Sequence, residues 1–161
     1  MHRTMIFAAA LSALAVPAIA ASDETPYALS AVHADFQAQL ESVAEMPGEI
    51  GAAARAAAGL AAPHNAAQER LILPLLGWAD PRAAGGMAAI AAPADRMRLE
   101  SEVAQLYDAD VDVVTALVEL YAAAEAVGDV ETARLAERMI WHETSDVEVL
   151  YPAALMVGSS M

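Results

Sequence analysis

Apolar residues in this chain recur at alternating intervals of three and four, and Gly or Pro breaks the pattern at a few places. That spacing is the signature of helices that bury one face. Four stretches carry it. The first spans residues 26–45, with an inward stripe of Leu29, His33, Phe36, Leu40 and Val43; Pro26 suits its first turn and Pro47-Gly48 ends it. The second spans residues 48–77, with Ala57, Leu60, His64, Gln68, Leu71 and Leu75 facing inward, a kink expected at Pro63 and a bend at Pro74. The third spans residues 94–127, with Val103, Leu106, Asp110, Val113, Leu117, Leu120 and Ala124 inward, and Gly128-Asp129 as its stop. The fourth spans residues 130–157, with Leu135, Met139, His142, Asp146, Val149, Ala153 and Met156 inward. Short breaks join the first two and the last two. A Gly/Pro/Ala-rich connection at residues 78–93, with one short helical turn at residues 87–91, joins the pairs. The expected fold is all-α, an antiparallel up-down-up-down four-helix bundle.

The stripes are not purely apolar. His33, His64, Gln68, Asp110, His142 and Asp146 occupy core positions, and in the expected topology all lie a few turns in from the same end. Two segments also repeat each other: HNAAQERLILP from His64 and HETSDVEVLYP from His142. In each, a polar residue follows the His at the fourth position and a Pro follows at the tenth (Pro74, Pro152). Burying an unpaired imidazole or carboxylate costs several kcal/mol, of the order expected for any unsatisfied polar group. Two arrangements satisfy such a set. A divalent cation accepts imidazole nitrogens and carboxylate oxygens together, and the i,i+4 spacing of His142 and Asp146 lets both grip one ion. A network of internal ion pairs and hydrogen bonds, with Asp146 on His142 and Asp110 on His33 or His64, does the same without metal.

Composition narrows the function further. The net charge is -14, which opposes nucleic-acid binding. There is no Cys, so disulfides, thiolate ligands and covalent haem attachment are excluded. Residues 1–20 read as an export signal: Arg3, an apolar run over residues 5–16 interrupted only by Ser12, Pro17, then Ala18-Ile19-Ala20 as a cleavage site. The expected mature protein is therefore periplasmic or secreted, without a membrane span. No phosphate loop, nucleophile elbow or HExxH motif is present, which points away from an enzyme. Trp141 is expected in packing and Glu143 on a solvated helix face.

Three segments carry a resemblance to a known family. PHNAAQERLILPLLG is similar to the second-helix motif of the hemerythrin-like (HHE cation-binding) proteins, DRMRLESEVAQLYDADVDVVTALVEL to their third helix, and LAERMIWHETSDVEVLYPAALMVG to their last helix. The resemblance covers nearly the whole chain after the signal, from His33 to Gly158. It implies a hemerythrin-like bundle holding non-haem iron in a mono- or dinuclear site. The implied metal residues are His33, His64, Glu69, Asp110, His142 and Asp146, with Gln68 as a hydrogen-bond donor behind them. The chain departs from the family pattern in having Asp110 in place of His, Gln68 in place of Glu and Asp146 in place of Glu. The implied role is reversible binding or sensing of O2, NO or iron itself. The alternative is a metal-free bundle acting as a structural or interaction module.

Overall fold

Two glycines set the tight turns of the chain. Gly48 (φ 80°) and Gly128 (φ 75°) adopt the left-handed conformation that a side chain disfavours. The first follows helix α1 (Tyr27–Ala44) and opens α2 (Gly48–Trp78); the second separates α3 (Pro93–Val127) from α4 (Val130–Ser145). The computed structural model describes residues 27–78 and 93–159. The expected export signal, and the expected helical turn at residues 87–91, lie outside the described residues. Arg55 donates from its guanidinium to the Ala44 carbonyl and so satisfies the end of α1. Asp129 caps α4 by accepting from the Thr132 backbone N–H at 3.1 Å and the Thr132 hydroxyl at 2.8 Å. α2 runs as one helix through both Pro63 and Pro74.

After Ser145 the last rod widens into one π-helical turn (Asp146–Leu150) and then resumes as α5 (Tyr151–Ser159). The Tyr151 N–H reaches back five residues to the Asp146 carbonyl. Pro152 gives this turn a local cause: it has no N–H for the Glu148 carbonyl, and its ring crowds that group in a regular helix.

All the described elements are helical, and they pack as a bundle: α1 lies on α2 and α4, α2 on α3, α3 on α4, and α5 on α2 and α3. Every residue of the expected α3 stripe, from Val103 to Ala124, is buried. Two expected inward positions, Val149 within the π turn and Met156 beyond it, are exposed, while Tyr151, Ala154 and Gly158 are buried. The turn absorbs one extra residue and so advances the inward face by one. Leu60 is also exposed; Ala61 takes its place inside. No described helix is long and apolar enough to cross a membrane.

The apolar interior falls into two clusters. One joins Leu40, Ala57, Val113, Leu117, Leu120 and Met139, among others. The other joins Ile72, Leu75, Leu99, Val103, Leu106 and Tyr151. On α2, α3 and the α4–α5 rod, the stretches that feed the two clusters flank the polar residues. His64 and Gln68, Asp110, and His142 to Asp146 thus form a layer with apolar packing on both sides.

Candidate metal centre

The layer contains two groups of potential ligands. His33 on α1 meets His142 and Asp146 on the last rod, and His64 on α2 meets Asp110 on α3 and Glu143 on α4. Within each group the ligand atoms lie within 4.8 Å of one another.

In the first group, His33 Nδ1 donates to Glu69 Oε1 at 2.9 Å. With Nδ1 carrying the proton, Nε2 keeps its lone pair, and Nε2 is buried without a hydrogen-bond partner. The His33 and His142 rings meet edge to face at 5.2 Å between centroids, and Phe36 packs on His142 at 5.5 Å. His142 Nε2 stands 3.6 Å from Asp146 Oδ2 and has no hydrogen-bond partner. Burial raises the Asp146 carboxyl above its usual range, although His142 and Gln68 oppose that shift.

In the second group, His64 Nε2 is 3.3 Å from Asp110 Oδ1 and 3.4 Å from Glu143 Oε2. Neither contact has hydrogen-bond geometry. Both Asp110 oxygens and Glu143 Oε2 are therefore buried without a hydrogen-bond partner. Burial works against charge on His64, but the adjoining Asp110 and Glu143 carboxylates outweigh it and push the imidazole up to about 9. Burial also raises Glu143, with His64 opposing and Asp110 adding to the shift. A pocket of about 350 Å³ between α2 and α3 reaches His64 from outside, walled by Leu60, Pro63, Ala67, Leu71 and Ala109.

Gln68 and Tyr151 stand between the groups. Gln68 Nε2 donates to Asp146 Oδ2 at 2.7 Å and to Tyr151 Oη at 3.2 Å, and Tyr151 Oη lies 3.5 Å from His64 Nε2. Both side chains are fully buried. Burial, followed by the Asp110 carboxylate, holds the Tyr151 phenol well above its ordinary range, so it stays protonated.

Of the six residues expected to hold metal, His33, His142 and Asp146 come together, His64 and Asp110 come together, and Glu69 joins neither group. Glu69 is partly exposed and touches the centre only through His33. Two expectations are overturned. Glu143 is not on a solvated face: it is 2 % exposed and sits beside His64 and Asp110. Trp141 is not packed: it is 67 % exposed, because it lies one position before the inward His142. Glu143 escapes a strict inward-stripe reading because it follows His142 and sits about 100° further round the helix. The signal that could have found it is the width of a bundle helix's inner face, which spans more than 100° and meets two neighbours. His142 serves α1, and Glu143 serves α2 and α3.

No protein-family model, no curated protein and no solved structure matches this chain.

Proposed function

We propose that this chain is a hemerythrin-like, exported metal-binding protein that holds non-haem iron in its polar layer and binds or senses O2, NO or iron without turnover. One observation carries the reading. Buried ligand atoms without hydrogen-bond partners (His33 Nε2, His142 Nε2, both Asp110 oxygens and Glu143 Oε2) converge from α1, α3 and the last rod. Leaving them unpaired costs several kcal/mol, the usual penalty for buried polar groups. Imidazole nitrogen and carboxylate oxygen form the donor set that iron, manganese and zinc accept, so the residues fit such an ion. The order of the elements supports an antiparallel course. α2 feeds the Leu40 cluster before the Ile72 cluster, α3 feeds them in the reverse order, and the last rod returns to the first order.

Held by His and carboxylate groups of this layer, iron would supply an open coordination position for a diatomic ligand. The chain's own residues do the rest. Glu69 fixes the tautomer and ring plane of His33, and Phe36 packs the His142 ring. The α2–α3 pocket gives a small solute a way to His64.

The test is metal content. Protein purified from iron-supplemented medium is expected to carry iron, to absorb visible light after Fe(II) and air, and to lose both properties in His142→Ala. At about a hundredfold excess of ion over its Kd, binding adds about 2.7 kcal/mol of stability, so the melting temperature rises. A colourless, metal-free protein whose melting temperature ignores Fe(II) and Zn(II) overturns the reading. The chain of contacts from Asp146 through Gln68 and Tyr151 to His64 supports the second reading, a metal-free bundle tied by a polar network. That reading predicts the colourless result.

A further inference from the structure

The two ligand groups have unlike chemistry. The first offers two imidazoles and one carboxylate; the second offers one imidazole and two carboxylates. A carboxylate placed between two cations can bridge them by giving one charged oxygen to each. Gln68 occupies the position between the groups, and it cannot bridge. Its amide carries no charge: the nitrogen presents N–H groups and has no lone pair to donate, and the one donor atom, the buried and unpartnered Oε1, lacks the second charged oxygen of a carboxylate. That nitrogen is already committed to Asp146 Oδ2 and Tyr151 Oη. Tyr151 completes the partition: its hydroxyl lies between Gln68 Nε2, at 3.2 Å, and His64 Nε2, at 3.5 Å.

We infer that the chain holds two single, unbridged ions in unlike sites. His33, His142 and Asp146 form a nitrogen-rich site, and His64, Asp110 and Glu143 form an oxygen-rich one. Gln68 and Tyr151 are the wall between them. The inference rests on the metal-binding reading and sharpens it. Donor chemistry sets the preferences: the nitrogen-rich site suits ions such as Zn(II) and Fe(II), and the oxygen-rich site suits a harder ion such as Mn(II). The two sites load in separate steps, and each keeps its ion when the other is destroyed.

Co(II) is a suitable probe, because an isolated high-spin ion gives its full EPR intensity and a bridged, antiferromagnetically coupled pair loses it. The metal-stripped full chain is dialysed against Co(II), and bound cobalt is compared with EPR intensity. Two ions per chain are expected, with the intensity accounting for both. Glu143→Gln and Asp146→Asn should each leave one ion bound, weakening one step by more than about tenfold and sparing the other. Gln68→Glu should restore a bridge and reduce the intensity without reducing the cobalt. Two ions with most of the intensity missing in the parent protein, one ion only, or loss of both ions in either single variant overturns the inference and leaves metal binding standing. Retention of neither Co(II) nor Fe(II) sinks the metal-binding reading, and this inference with it. The parent titration decides between these outcomes even if a variant fails to fold.

Discussion

The imidazole of His33 is set for chelation by a residue that the interior does not contain. Glu69 reaches it from the rim of α2 and accepts the Nδ1–H hydrogen bond, so the buried Nε2 keeps its lone pair for a cation. Glu69→Ala is therefore expected to weaken ion binding by about 10–100-fold while leaving helical content unchanged, as chelator competition and circular dichroism would measure. His64 gives a pH signature. Its folded pKa is raised from 6.5 to about 9, so folding takes up a proton between those values. The stabilisation is fully present below pH 6.5 and is lost as pH rises through about 9. Its size is on the order of 3 kcal/mol. Glu143 and Asp146 are raised as well, so they too favour the folded state when protonated and lose that stabilisation as pH rises. Melting curves of the metal-free protein should shift downward from pH 6.5 to about 9. Ion affinity should move the other way, because a cation must displace the His64 proton. A metal-free melting temperature that holds or climbs across this range would contradict the assignment. The sequence made His33, His64, Asp110, His142 and Asp146 visible because each lies on an apolar stripe. It did not separate Gln68 from Glu69, since adjacent positions differ only by a rotation that packing decides.

At the level of the helix, the contrast between α3 and the last rod is instructive. The α3 stripe stays in phase from Val103 to Ala124 because nothing interrupts its hydrogen bonds. The last rod stays in phase to Asp146 and then slips by one at the π turn. The slip was not legible because both registers read as apolar. Val149, Ala153 and Met156 make one plausible stripe, and Tyr151, Ala154 and Gly158 make the other. The fully buried Tyr151 carries the larger apolar area, and its packing on Tyr107 at 5.0 Å selects the second. If the turn merely absorbs an extra residue, removing that residue should be tolerated. Deleting Val149 together with Pro152→Ala closes the turn to an ordinary α turn and keeps Tyr151 inside, so stability should stay within about 1 kcal/mol of the parent. Deleting Glu137 from the regular part of α4 swings everything beyond it by about 100°. That deletion should cost more than about 3 kcal/mol, the scale of emptying a core of large side chains. Urea unfolding of both variants tests the pair; equal losses would refute the register argument.

Across the molecule, the acidic surface and the buried layer act in one direction. A net charge of -14 draws cations toward the protein, and the layer offers them uncompensated lone pairs. The helical bundle was readable from periodicity alone, because each long helix had to repeat the same face many times. The split of the core into two clusters was not readable, since it depends on which apolar residues meet across helices. That split has a mechanical consequence. A plane of buried charge between two oily blocks is the weakest section of the bundle, and without a cation the blocks share little cohesion across it. Amide hydrogen exchange of the stripped protein should therefore resolve two cooperative units, one around Leu40 and Leu117 and one around Ile72 and Tyr151, with different opening energies. Saturation with Fe(II) should rivet the plane and merge them into a single unit that opens only when the whole chain does.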